Sequence, residues 1–150
     1  MKSQFVILLI ATILFSCAQE APVEEQMEKQ STVCYQAIDG ADTAWLSIDT
    51  SKRSSLIGTF EMNYAKQKRR MYGQFKGALK GDTIKGHYDF KVNKVDKWYR
   101  NPVAFLKSDG KLKMGVGEMV MQWGSPFFDE KVPIAYEKGR FVFGETNCVH

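Results

Sequence analysis

Histidine, cysteine and proline are scarce in this chain of 150 residues, at two, three and four. The two histidines, His87 and His150, have no second histidine or free cysteine at ligand spacing, so the sequence offers no metal site. No G-x-S-x-G, H-E-x-x-H or phosphate-binding loop occurs. No apolar run approaches the ~20 residues that cross a bilayer as a helix, which excludes a polytopic helical membrane protein. No stretch keeps an apolar stripe at 3.6-residue spacing, so long helices are not expected. Neither sign of charge dominates, with 21 Lys and Arg against 17 Asp and Glu. What is present is the composition of one globular domain: 44% hydrophobic residues, with aromatics recurring from Trp45 to Trp123.

Residues 1–17 read as an export signal. Lys2 supplies the positive start and residues 5–15 an apolar core too short to remain as a spanning anchor. The stretch ends Leu14-Phe15-Ser16-Cys17, which resembles the lipobox of bacterial lipoproteins. That resemblance implies lipidation at Cys17, with the small Ser16 entering a narrow protease pocket. Ala18 follows, and no aspartate stands there to signal inner-membrane retention, so the expected address is the outer membrane. Residues 18–32 carry Glu20, Glu24, Glu25 and Glu28 against Lys29 and lack aromatics; they read as a flexible acidic tether.

With Cys17 assigned to lipid, Cys34 and Cys148 remain as a pair in an oxidising compartment. A disulfide between them would close a loop worth up to ~4.7 kcal/mol in the chain-entropy account. It would also bring the first and last strands within ~7 Å at their Cα atoms.

From Val33 on, residues alternate with period two and turn residues break the pattern about every ten positions. The breaks fall at 40–42, 50–53, 65–70, 80–82, 93–96 and 108–110. Leu56, Gly58, Phe60, Met62 and Tyr64 share one face; so do Gly73, Phe75, Gly77 and Leu79, and Ile84, Gly86, Tyr88, Phe90 and Val92. Residues 33–150 therefore read as an all-β antiparallel meander. The expected form is a closed or nearly closed eight-stranded barrel, with a β-sandwich as the alternative. After Lys111, Gly115 and Gly117 blur the period, and residues 122–131 read as an irregular covering loop.

Cys34-Tyr35, Asp42-Thr43-Ala44 and the hairpin from Gly77 to Phe90 (G-x-φ-K-G-D-T-φ-x-G-x-Y-x-F) resemble a group of small bacterial lipoproteins of unknown function. The resemblance implies a lipocalin-like barrel and imports no activity or cofactor.

Candidate site residues follow from aromatic placement. Trp98 and Arg100 precede one strand, and Trp123, Phe127 and Phe128 follow another, so all five are expected at the barrel mouth or lining a small apolar or amphipathic ligand. Met114, Met119 and Met121 would add adaptable lining. Glu118, if inward, needs a partner such as Arg100. His87 beside Asp89 is the one acid–base pairing on offer, and a solvated strand face explains it as well, so the chain is not expected to be an enzyme. Lys66-Gln67-Lys68-Arg69-Arg70 forms a basic hairpin tip. The second reading is an outer-surface interaction module for an acidic protein or anionic glycan. Residues 33–150 hold nineteen Lys and Arg against thirteen Asp and Glu, a charge of +6 that suits either partner. Nucleic acid is not expected, because the basic residues are not interleaved with strand-borne aromatics and the chain is exported.

Overall fold

The computed structural model describes residues 31–148, and the lipidation and tether assignments around Cys17 lie outside them. No helix forms among the described residues. Alternating faces and short turns generate ten strands: β1 (Thr32–Asp39), β2 (Asp42–Asp49), β3 (Leu56–Tyr64), β4 (Arg69–Lys80), β5 (Thr83–Val92), β6 (Tyr99–Ser108), β7 (Lys111–Met114), β8 (Met119–Gln122), β9 (Ser125–Phe128) and β10 (Val142–Thr146). Eight of them close a barrel in the order β1-β10-β7-β6-β5-β4-β3-β2, with every neighbouring pair antiparallel. β1 to β7 form the meander, and β10 fits between β7 and β1 to close it.

The inward faces are those the alternation marked. Phe60, Phe75, Tyr88, Phe105, Phe141 and Phe143 are almost wholly buried, with Leu46, Ile48 and Leu112 around them. Phe60 sits centrally, its ring centroid 4.7 Å from Tyr88, 5.8 Å from Phe105 and 6.0 Å from Phe143. An eight-stranded barrel is just wide enough for side chains to fill, and here aromatic rings fill it. The Tyr88 hydroxyl is buried without a hydrogen-bond partner among the described residues, at a cost of about 1–3 kcal/mol. Gly58 and Gly73, both inward, let adjacent strands approach: a Cβ there would meet the Ser47 carbonyl oxygen at 1.8 Å and that of Asp89 at 1.9 Å. Since the core and the closing strand pairs lie within these residues, this unit holds what it needs to fold alone.

The remaining strands lie outside the barrel. After β7 the chain leaves the wall at Gly115, whose N–H donates to the Ala104 carbonyl of β6 at 2.8 Å. It forms the β8–β9 hairpin, packs that against β6, and returns through the paired Val116 and Ala135. Phe141 then re-enters the core and β10 completes the wall. Ala104, on the outward side of β6, is fully buried by this excursion. The stretch read as an irregular covering loop is thus mostly a hairpin, turned by Trp123 (φ 48°) and Gly124 (φ 77°). Two successive positive φ values match the twist of adjoining strands, which a looser loop would not.

Cys34 and Cys148 form a disulfide with their Cα atoms 5.2 Å apart. Cys34 stands opposite Ser47 on the outward face, so the bond pins the C-terminal segment over the outside of β1.

Candidate functional site

The structure brings several expected site residues together, but on the outside of the barrel. Trp98 and Arg100 flank Tyr99, which faces inward and stacks on Phe90 with ring centroids 5.7 Å apart. Alternation then sends Trp98 and Arg100 outward. Arg100 stands opposite Asp89 and donates to both its oxygens, Nε to Oδ1 at 2.5 Å and Nη2 to Oδ2 at 2.8 Å. These hydrogen bonds hold the Asp89 carboxyl below its ordinary range and Arg100 further toward its protonated form. Lys91 lies 5.0 Å from the centre of the Trp98 ring and binds Asp96 at 2.5 Å.

Opposite this wall stands the hairpin, leaving a cleft of about 540 Å³. Trp98, Met119, Met121 and Pro126 supply its apolar lining and Asp89 and Arg100 its polar side, while Tyr99 and Asn101, at inward-facing positions, border it. Asp89 engages Nε and Nη2 of Arg100, and Nη1 makes no hydrogen bond among the described residues.

The placement of these residues departs from a ring at the barrel mouth. The five candidate residues do not ring a barrel mouth, because the interior is occupied by the core rings and the hairpin packs on the outer wall. Trp123 is 98% exposed at the hairpin tip, and Phe127 is half exposed beside it. Phe128 packs where a side chain on Gly117 would stand, 2.7 Å from such a Cβ, and serves the excursion's own packing. Glu118 is exposed and does not pair with Arg100, which Asp89 has taken. Of the methionines, Met114 packs against the core, while Met119 and Met121 line the outer cleft.

His87 and Asp89 do share a face, Nε2 to Oδ2 at 3.8 Å. Burial first, and then Arg100, push the imidazole below its ordinary value, against the pull of Asp89. With both Asp89 oxygens held by Arg100, the pair is poorly arranged to move a proton. The basic hairpin tip forms as expected, with Lys66, Gln67, Lys68 and Arg69 exposed. Arg70 leaves the cluster to grip Glu61, Nε to Oε1 at 2.6 Å and Nη2 to Oε2 at 2.7 Å. Among the described residues no group of three or more His, Cys, Asp or Glu is placed to hold a metal.

Tyr99, Asn101 and Pro126 sit within the two aromatic segments without a signal that singles them out. Asp89 was noted only as a partner for His87. The signal for Asp89 was there, since pairing Phe90 with Tyr99 places it opposite Arg100. Compared with models of protein families, with curated proteins and with solved structures, the chain matches none.

Proposed function

We propose that this chain is a lipid-anchored protein of the bacterial outer membrane whose barrel carries a small amphipathic ligand, without catalysis, in the cleft between β5–β6 and the β8–β9 hairpin. The observation that carries the reading is the cleft's lining: the Trp98 ring, two thioethers and a proline as its apolar part, and the Arg100–Asp89 pair as its polar part. Ligand sites are mostly apolar with a few placed polar groups, and this one has that division. Methionines adapt to an irregular apolar surface, and the free Nη1 of Arg100 suits a polar head. The lipobox-like Leu14-Phe15-Ser16-Cys17 and the tether after it support the anchoring, and a barrel so anchored would stand at the membrane surface, where amphipathic molecules concentrate.

Titration of the barrel unit (residues 31–150) with laurate below its micelle concentration tests this, read by tryptophan fluorescence. Saturable one-to-one binding is expected. Trp98→Ala or Met121→Asp, both at exposed positions, should weaken it about tenfold, the scale of one lost aromatic or apolar contact. Binding that survives both substitutions, or no saturable binding at all, overturns the reading.

A second reading, an outer-surface module for a macromolecular partner, is favoured by Trp123 alone. A tryptophan 98% exposed and held at positive φ adds nothing to the fold that a smaller residue would not. Large exposed rings of this kind are enriched at binding hot spots.

A further inference from the structure

A second cleft lies on the β1–β4 wall, away from the hairpin, with a volume of about 650 Å³. Its walls are Trp45 of β2 and Tyr72 of β4, both partly exposed. Glu61 of β3 stands directly opposite each of them, so the three side chains form one row across the outer face. The adjoining row, one alternation along, is Ser47, Thr59 and Gln74, again in mutual register. Asn147 closes the cleft, held there because Cys148 beside it is bonded to Cys34. The floor includes backbone at Leu46, Phe60 and Gly73, whose positions face the core.

We infer that this cleft is a saccharide-binding site, taking a neutral pyranose oligosaccharide with its apolar ring faces against Trp45 and Tyr72. Three features decide the class. First, the rings stand two strands apart, about 9.5 Å at the backbone, a step comparable to two β-linked pyranose units. Second, the polar lining is hydroxyl, amide and carboxylate, which together both donate and accept, as sugar hydroxyls do. A purely apolar ligand would leave these groups desolvated and unpaired. Third, the lining contains no lysine or arginine, while Glu61 contributes a carboxylate whose charge is matched by Arg70 from outside the cleft. An anionic ligand would find no uncommitted cation there, because Arg70 is already taken by both Glu61 oxygens. Arg70 also packs 5.3 Å from the Tyr72 ring centre, bracing the ring from outside the cleft.

Isothermal titration of the barrel unit with cellohexaose, chitohexaose, maltohexaose and xylohexaose, with polygalacturonate as the anionic comparison, tests the inference. At least one neutral hexaose should bind saturably and more tightly than polygalacturonate. Trp45→Ala and Tyr72→Ala should each weaken that binding about tenfold, as for the loss of one stacked ring. Thr59→Arg, an exposed substitution that fills the cleft without touching the core, should abolish it, and Trp98→Ala should leave it unchanged. Binding of none of the four, binding that persists in Thr59→Arg, or a preference for polygalacturonate overturns the assignment. The laurate titration is unaffected by any of these outcomes, so the two sites stand or fall separately.

Discussion

Trp123 and Asp109 occupy the same place in two turns of the same geometry. Asp109 and Gly110 have φ values of 54° and 71°, and Trp123 and Gly124 have 48° and 77°. The left-handed conformation costs an L-residue about 1–2 kcal/mol, less for Asp or Asn, whose short polar side chains bond locally. Asp-Gly was therefore legible as a turn, and Trp-Gly was not. Nothing in the composition of Trp-Gly signals a hairpin, so the surrounding stretch passed for an irregular loop. A residue that is both strained and 98% exposed recovers no packing energy in return. Trp123→Asn should therefore stabilise the chain by about 1 kcal/mol, measured by urea denaturation. If it destabilises instead, the ring has folded-state contacts and the macromolecular-partner reading loses its support. The orphaned Tyr88 hydroxyl was invisible for another reason, and the Arg100–Asp89 pair shows only once β5 and β6 are set in register. Both depend on where partners fall across neighbouring strands, which alternation along one strand does not report.

Among the elements, the end of the barrel near the β1–β2 turn is held by a residue from the far end of the sequence. Arg140, just before β10, pairs through Nε with Asp39 and through Nη2 with Asp42, the latter at 2.5 Å. Its guanidinium also lies 5.6 Å from the Tyr64 ring centre and 5.8 Å from that of Phe141. Asp42 is buried, and its other oxygen accepts from the Ala65 N–H at 2.7 Å, tying in the β3–β4 turn. One cation thus joins the β1–β2 turn and, through Asp42, the β3–β4 turn at the point where the excursion returns to the wall. Removing it leaves a buried carboxylate without its counter-charge. A fully buried pair would cost about 3–5 kcal/mol, and Arg140 is half exposed, so Arg140→Ala should cost about 2 kcal/mol. Adding Asp42→Asn to Arg140→Ala should then cost less than the sum of the single changes, read from denaturation midpoints. Full additivity would mean the pair contributes by packing alone. The early strands were legible because their turns are short and their faces alternate cleanly. Past Lys111 the pattern failed because β7 and β10, neighbours in the barrel, are separated by the whole excursion. Gly115 and Gly117 sit where Ile134, Tyr136 and Phe128 press close, so they answer to that packing and not to strand alternation.

At the scale of the whole molecule, closure is secured twice, by the β1–β10 ladder and by the disulfide beside it. The backbone ladder satisfies hydrogen-bonding groups that an open edge would expose. The disulfide acts chiefly on the unfolded chain, whose loop it closes over a sequence separation of 114. The two therefore separate experimentally. Cys34→Ser with Cys148→Ser should leave the barrel closed and its core packed, since Cys34 still stands opposite Thr146 in the ladder. Stability should fall by up to about 4.7 kcal/mol, the chain-entropy value for a loop of this order. Amide exchange should show the strand pairs of β5 and β6 protected as before under conditions where the chain remains folded. Asn147 has no ladder partner and is placed by the bond next to it, so the change should also release one wall of the β1–β4 cleft. Hexaose affinity should then drop in the double variant while laurate affinity holds, because the hairpin cleft draws nothing from the C-terminal segment. Loss of both affinities together would mean that the disulfide, and not the ladder, keeps the barrel closed.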